Sequence, residues 1–186
     1  MQFYEMYSQP NTDEVEAMLK AQRHCHLLTQ SREGQPHCGI FNPYLQENLV
    51  MLHLHRRDEQ LRDLREKPEA SLVFTDFIST IPSYWIDPRY GGAATSYYKY
   101  AELKCRAEIV SDPQKMRPWL ERLMQRFQPE GGYDPLDPKS EIYRVSFETI
   151  ALVLFHRETI RTKWKLGQNR PPEIRAKVLE KLGRAL

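Results

Sequence analysis

Polar and apolar residues alternate along much of this chain, and the alternation gives way to helical spacing at only a few places. Asn11-Thr12-Asp13-Glu14 is a cap followed by acids, with Val15, Met18 and Leu19 after it at helical intervals, which predicts a helix from about Thr12 to Arg23. Cys25–Gln30 reads as a strand. Arg32-Glu33-Gly34-Gln35 has hairpin-turn character, and Pro36–Tyr44 is its partner. After a turn at Gln46-Glu47-Asn48, Leu49–His55 is a third strand, and Asp58–Glu66, with Leu61 and Leu64 three apart, is a short helix. Ala70–Thr75 is a compact buried strand, and Ile78–Ala94 is irregular and rich in Pro, Gly and aromatics. From Thr95 to Val110 the alternation is sustained. Tyr98, Tyr100, Glu102, Lys104 and Arg106 share one face, and Tyr97, Ala101, Leu103, Cys105, Ala107 and Ile109 the other. Asp112-Pro113 caps a helix to about Phe127 whose stripe is Met116, Trp119, Leu120, Leu123, Met124 and Phe127. Beyond a loop from Gln128 to Ser140, Ile142–Val145, Ile150–His156 and Thr159–Leu166 read as strands. A last helix, Pro171–Arg184, presents Ile174, Val178, Leu182 and Leu186 on one stripe.

The count is about six or seven strands joined mostly by turns, with helices at the start, middle and end. Strands do not alternate regularly with helices, so a doubly wound sheet is not expected. The pattern fits a mainly β (α+β) fold, an antiparallel closed or split barrel with peripheral helices, formed by one domain over 1–186. Composition narrows the function classes. Charged residues are 28% and hydrophobic ones 40%, ordinary for a globular protein. The net charge of +2 gives no basic field of the kind nucleic acid attracts. No apolar run is long enough to span a bilayer and the N-terminus carries no export signal, so no membrane role is expected. Three cysteines, an odd number without framework spacing, fit reduced thiols in a cytoplasm.

The most informative stretch for chemistry is Lys163-Trp164-Lys165-Leu166-Gly167-Gln168-Asn169-Arg170-Pro171-Pro172-Glu173. It reads as a strand end, a glycine turn and a helix start. Two lysines alternate on one strand face, two side-chain amides follow, and proline opens the helix without wasting an N–H. An anion there would meet fixed charge, amide donors and a helix N-terminus, so the segment is a candidate phosphate grip. His53-Leu54-His55-Arg56-Arg57-Asp58 bunches cations where a strand meets a helix. An arginine there can hold a phosphate bidentately, or simply be solvated. Tyr97-Tyr98-Lys99-Tyr100 could stack on a planar cofactor or belong to the core. His24 and His26 share a strand face, as do His53 and His55, and Cys38 follows His37, but the spacings match no standard ligand set and no metal is expected. There is no nucleophile elbow, Walker loop, dinucleotide glycine fingerprint, helix-turn-helix or zinc finger.

Taken in order, these segments resemble the FMN-binding split-barrel superfamily, which includes the pyridoxamine phosphate oxidases. Within it the chain looks most like the PaiB-type FMN-binding negative transcriptional regulators. Met6-Tyr7-Ser8-Gln9-Pro10 is similar to that group's opening Met-Tyr-x-Pro, with one residue extra. His26-Leu27-Leu28-Thr29 resembles its first barrel strand, and Asn42-Pro43-Tyr44-Leu45 the end of the second. His53 to Gln60 resembles His-Leu-Ala-Arg-Ala-Asn-Pro-Gln, and Tyr84-Trp85-Ile86-Asp87-Pro88-Arg89-Tyr90 echoes Tyr-Ile-Ser-Pro-x-Trp-Tyr. Lys163-x-Lys165-Leu166-Gly167-Gln168-Asn169 is close to the terminal Lys-x-Lys-Leu-Ser-Gln-Asn, the most specific of these matches. The group's Pro-Thr-Trp-Asn-Tyr is Thr95-Ser96-Tyr97-Tyr98-Lys99-Tyr100 here, with only the final Tyr retained, and its Asn-Pro after the arginine segment is Asp58-Glu59.

The resemblance implies a homodimer with FMN at the interface, isoalloxazine against the barrel and phosphate against basic side chains. It places His53 and Arg56 on the phosphate side and Thr29 on the strand facing the ring, with Arg57 as a further cofactor-binding candidate. Lys163, Lys165, Gln168 and Asn169 fall in the terminal motif that closes the site, with Tyr98 and Tyr100 as stacking or hydrogen-bonding candidates. The implied function is a cytoplasmic flavin oxidoreductase-type protein acting on a small molecule. The alternatives are a PaiB-like regulator acting on DNA, a non-catalytic flavin module, and a haem-, F420- or metal-handling split barrel.

Overall fold

The computed structural model describes residues 4–8 and 11–183. Gln9 and Pro10 of the opening motif, and Arg184 and Leu186 of the last helix, lie outside the described residues. The elements run α1 (Thr12–Ala21), β1 (Cys25–Gln30), β2 (Pro36–Phe41), β3 (Tyr44–Gln46), β4 (Leu49–His55), α2 (Glu59–Glu66), β5 (Glu69–Ile81) and α3 (Ser83–Ile86). They continue with β6 (Thr95–Val110), α4 (Pro113–Phe127), α5 (Glu141–Thr149), β7 (Ile150–Lys165) and α6 (Pro172–Leu182). The strands form one seven-stranded antiparallel sheet in the order β2-β1-β5-β6-β7-β4-β3. This is the mainly β, antiparallel architecture with peripheral helices that the alternation predicts.

Several boundaries differ from the sequence reading. The segment Pro36–Tyr44 is two strands. Pro43 cannot donate to a ladder, and the Asn42 side chain turns to the carbonyl of Arg23, so β2 ends at Phe41 and β3 starts anew. Strand β5 runs on through Ile81, beyond the predicted Thr75. Ile150–His156 and Thr159–Leu166 fuse into one long strand, β7. The largest change is Ile142–Val145, which is helix and not strand. Ser140 accepts from the N–H of Tyr143 as an N-cap, and Glu141 stands in the first turn. That capping commits the short apolar run to α5.

The contacts group the chain into two compact units. One holds Lys20–Val73 and Glu102–Ile160. Here β1 pairs with β2 (Leu27 opposite Gly39) and with β5 (Leu27 opposite Leu72), and β4 pairs with β7 (Leu52 opposite Val153). Its core joins Met51, Leu152 and Leu154 of the sheet to Met116 and Leu123 of α4 and Phe147 of α5. Gly39 is required by a close approach: a Cβ there would overlap the side-chain oxygen of Gln60, whose amide nitrogen donates to the Leu27 carbonyl at 2.7 Å. That contact fixes α2 on β1 and β2.

The other unit holds the chain up to Leu19, Phe74–Ala101, and the chain from Arg161 onwards. Its core is Ile81, Tyr97 and Val178, with Ile78, Trp85, Ile86 and Leu182 packed around them. Val178 and Leu182 belong to the predicted stripe of α6. That helix ends at Gly183, in the left-handed conformation a C-terminal cap favours.

Candidate functional site

Each unit carries one concentration of functional side chains. In the second-described unit, the terminal motif is built as the sequence suggests. β7 delivers Lys163, Trp164 and Lys165, the chain turns at Gly167, and α6 starts at Pro172. The turn is held by Gln168, whose Oε1 accepts from the N–H of Leu166 at 2.8 Å and whose Nε2 donates to the Trp164 carbonyl at 2.6 Å. The Gln168 amide therefore clamps the turn. Gly167 sits at φ +80°, and a Cβ on it would overlap the Tyr97 hydroxyl. The sequence thus needs glycine there for conformation and for space.

Around this turn the charge is positive. Lys163 is 9% exposed and its ammonium lies 5.7 Å from the Tyr7 ring centre. Burial, then the neighbouring charges of Lys163 and Arg170, hold the Lys165 ammonium below its ordinary pKa. Arg170 and Arg175 line a cleft of about 400 Å³ with Gln168, Pro172, Ala176 and Leu179. Three buried donors have no hydrogen-bond partner among the described residues: Tyr97 Oη, Trp164 Nε1 and Arg175 Nε. Burial raises the Tyr97 pKa, opposed by Arg170 and Arg175, so the phenol keeps its proton. Asn169 is exposed, and Tyr98 and Tyr100 are half-buried on the face of β6 opposite Tyr97. Lys165, Arg170 and Arg175 form no ion pair among the described residues, and buried donors without acceptors beside such cations are the arrangement that receives an anion.

In the other unit the sequence candidates separate. Thr29, 6% exposed, donates its hydroxyl to Asp63 at 2.7 Å. His53 lies on β4, and burial lowers its pKa, which favours the neutral ring. Its Nδ1 has no partner among the described residues. Arg56 directs Nη2 to the Ser111 carbonyl at 3.1 Å and its backbone N–H to Thr149, while its Nε is buried without a hydrogen-bond partner. Arg57 is exposed, with its backbone N–H on the His55 ring.

Sequence reasoning passed over the most constrained group in this unit. Asp63, 2% exposed on α2, accepts from Thr29 and from His37 Nδ1, both at 2.7 Å and both on Oδ2. Burial pushes this carboxyl up, but the two hydrogen bonds and the charges of His37 and Arg62 outweigh it and hold it below its ordinary value. The hydrogen bond to Asp63 is the main reason the His37 imidazolium is favoured. Thr29 and His37 line a cleft of about 630 Å³ with Cys38, Lys67, Lys104 and Glu158 among its other walls. The available signal was the α2 pattern itself: Gln60 and Asp63 fall on the same face as Leu61 and Leu64. Of the thiols, Cys38 is exposed. Cys25 and Cys105 are buried, and burial pushes each up to about 12, so both stay protonated. Among the described residues, no group of three or more His, Cys, Asp or Glu side chains is placed to hold a metal, and no helix is long and apolar enough to cross a membrane.

The antiparallel sheet and its peripheral helices define a split-barrel protein. The pyridoxamine 5'-phosphate oxidase family model matches residues 11–154. The chain belongs to that family. No curated protein matches it significantly by sequence. Among solved structures it is similar to the flavocytochrome from Azotobacter vinelandii, at 16% identity and TM-score 0.74, covering 95% of this chain and 78% of that one. The FAD and heme binding protein of Mycobacterium smegmatis matches at 14% identity and TM-score 0.71, over 87% and 74%. The heme storage protein of Vibrio cholerae matches at 12% identity and TM-score 0.56, over 82% and 94%. At these identities the likeness is one of fold.

Proposed function

We propose that this protein binds a flavin, FMN in particular, and works as a flavin-dependent oxidoreductase-type protein. The observation that carries the reading is the cationic turn between β7 and α6. Lys165, Arg170 and Arg175 have no carboxylate partner there among the described residues, and three buried donors wait for an acceptor. A phosphate monoester fits this donor set: it carries about two negative charges and several acceptor oxygens. Membership of the pyridoxamine 5'-phosphate oxidase family supports the same ligand. A bound flavin would supply the electron transfer. The chain's own part is to hold the phosphate with Lys165, Arg170 and Arg175, keep the turn rigid through Gln168, and shield the site with Trp164 and Tyr97.

The protein is further proposed to be a cytoplasmic homodimer with the cofactor at the interface. Three free thiols are in keeping with a reducing compartment. Titrating the purified protein with FMN should quench flavin fluorescence saturably, with FAD weaker and with one FMN per chain of a dimer by light scattering. Absence of quenching by any flavin ends the reading, and a Soret band on adding haemin in its place would move the protein to the haem-binding side of its structural neighbours. A PaiB-like regulatory role predicts salt-sensitive, sequence-selective DNA binding, and a flat operator-binding assay would remove it.

A further inference from the structure

A charge interrupts the core face of β6. Tyr97 and Ala101 alternate along that face and are buried, and Lys99 stands between them in the same alternation, half-buried. A lysine on an apolar stripe is rare unless it is paired or serves something other than packing. Lys99 forms no ion pair among the described residues. Asp76, which alternation puts on the same face of β5 as the buried Phe74, forms none either. The Lys99 ammonium lies instead 4.4 Å from the ring centre of Trp164. An indole face steadies a cation and leaves its charge unneutralised. Trp164 is itself buried, and its Nε1 has no hydrogen-bond partner among the described residues. Asp76, Tyr97, Lys99 and Trp164 all belong to the compact unit that holds the cationic turn.

A phosphate monoester brings about two negative charges, and Lys165, Arg170 and Arg175 already answer them. Lys99 is a further cation. It approaches from the side of Trp164, whereas Lys163 and Lys165 alternate with Trp164 and leave β7 on its other face. One ammonium resting on one aromatic face matches a single charge on a planar group, a carboxylate rather than a second phosphate. We propose that the small-molecule substrate carries a carboxylate and that Lys99 receives it, the ammonium donating to a carboxylate oxygen while Trp164 forms the apolar wall beside it. The inference rests on the flavin reading above, in which the phosphate occupies the other cations.

The test follows the Trp164 indole N–H resonance of the whole protein, saturated with FMN, as benzoate is added, with benzamide as the uncharged molecule of the same shape. Benzoate should move the resonance saturably and benzamide should bind at least about tenfold more weakly, the loss expected when a charge-assisted contact is removed. In Lys99→Gln the preference for benzoate should disappear, and in Lys99→Arg it should return in part. Should the variants fail to fold, the wild-type comparison of benzoate with benzamide decides alone. Equal binding of the two probes, or no movement with either, overturns this inference and leaves the flavin reading standing. A tenfold loss of FMN affinity in Lys99→Gln would put Lys99 in the phosphate grip, and that too overturns this inference only. FMN that fails to quench overturns the flavin reading, and with it the standing of the carboxylate as a substrate, whatever benzoate does.

Discussion

The carboxylate of α2 and the lysines at the end of β7 are both drawn out of water, and the fold treats them in opposite ways. Asp63 is buried with its partners supplied from within its own unit: a threonine from β1 and a histidine from β2 converge on one oxygen. The cluster is neutral enough to stand alone, and its bonds tie α2 to the hairpin. Lys165 is partly buried beside Lys163 and Arg170, and burial first, then those two charges, push its pKa down. That arrangement opposes folding and persists only because the surrounding core holds it, which is the mark of a site shaped for something other than stability. A cluster completed by the protein, with His37 held between Asp63 and Glu59, serves architecture. A cluster left incomplete implies a ligand.

The sharpest way to break the contrast is at Gly167. Replacing it with alanine combines a positive φ with an overlap on the buried Tyr97 hydroxyl, and the expected cost is about 3 kcal/mol in urea unfolding. Adding Tyr97→Phe should return part of that loss, because the atom first met by the new Cβ is gone. A Gly167→Ala variant within 1 kcal/mol of wild type would mean the turn is loose and not a preset grip. Next in size is Asp63→Ala. It removes one buried and one part-buried hydrogen bond and leaves the Thr29 hydroxyl without its acceptor, so a loss of about 2 kcal/mol is expected. An unchanged urea midpoint would show that the cluster does not tie α2 to β1 and β2.

These two sites also show what a sequence exposes. Lys163-x-Lys165-x-Gly167-Gln168 was legible because its parts are neighbours in the chain, and alternation places both lysines on one strand face. The Thr29–His37–Asp63 cluster joins three elements, with Asp63 26 residues from His37 and 34 from Thr29. No local period encodes that meeting. The fold follows the same rule. β6 and α4 match their predicted bounds because sixteen and fifteen residues give a period time to declare itself. Ile142–Val145 is too short for that, and the Ser140 cap decides it in favour of α5. Arg170 and Arg175 went unassigned because their value lies in forming no ion pair among the described residues, which only three-dimensional packing can show.

The cationic turn predicts a separation of stability from binding. Lys165→Ala should weaken FMN by roughly 1–3 kcal/mol if the ammonium contacts the phosphate. The same change should leave urea stability within about 0.5 kcal/mol of wild type or slightly raise it, since a partly exposed like-charge contact is relieved and solvent screens the remainder. Fluorescence quenching and urea midpoints on one preparation separate the two effects. Loss of stability together with affinity would make Lys165 a structural residue and place this cluster in the same class as Asp63.

The smallest effect, and the one that sharpens the comparison furthest, is on pH. Asp63 titrates below its ordinary value of 3.8 in the folded protein, so its contribution is present above that pH and is lost as the pH falls through the folded value. His37 titrates above its ordinary 6.5, so its contribution is complete below 6.5 and is lost as the pH rises through the folded value. Together they favour the native state most between about pH 4 and 6.5. Lys165 acts with the opposite sign. Its folded value is below 10.5, so the unfolded chain binds the proton more readily, and the cost of burying the ammonium is relieved as the pH climbs through the alkaline range. Urea midpoints should therefore decline modestly from pH 6 to 8.5 in the wild type and stay flat in His37→Gln. A smaller recovery above pH 9 should disappear in Lys165→Ala. Saturating FMN gives the decisive contrast. A phosphate beside Lys165 holds the ammonium protonated, so the alkaline recovery should vanish in the wild type as well, because the charge that the fold left uncompensated has then been met.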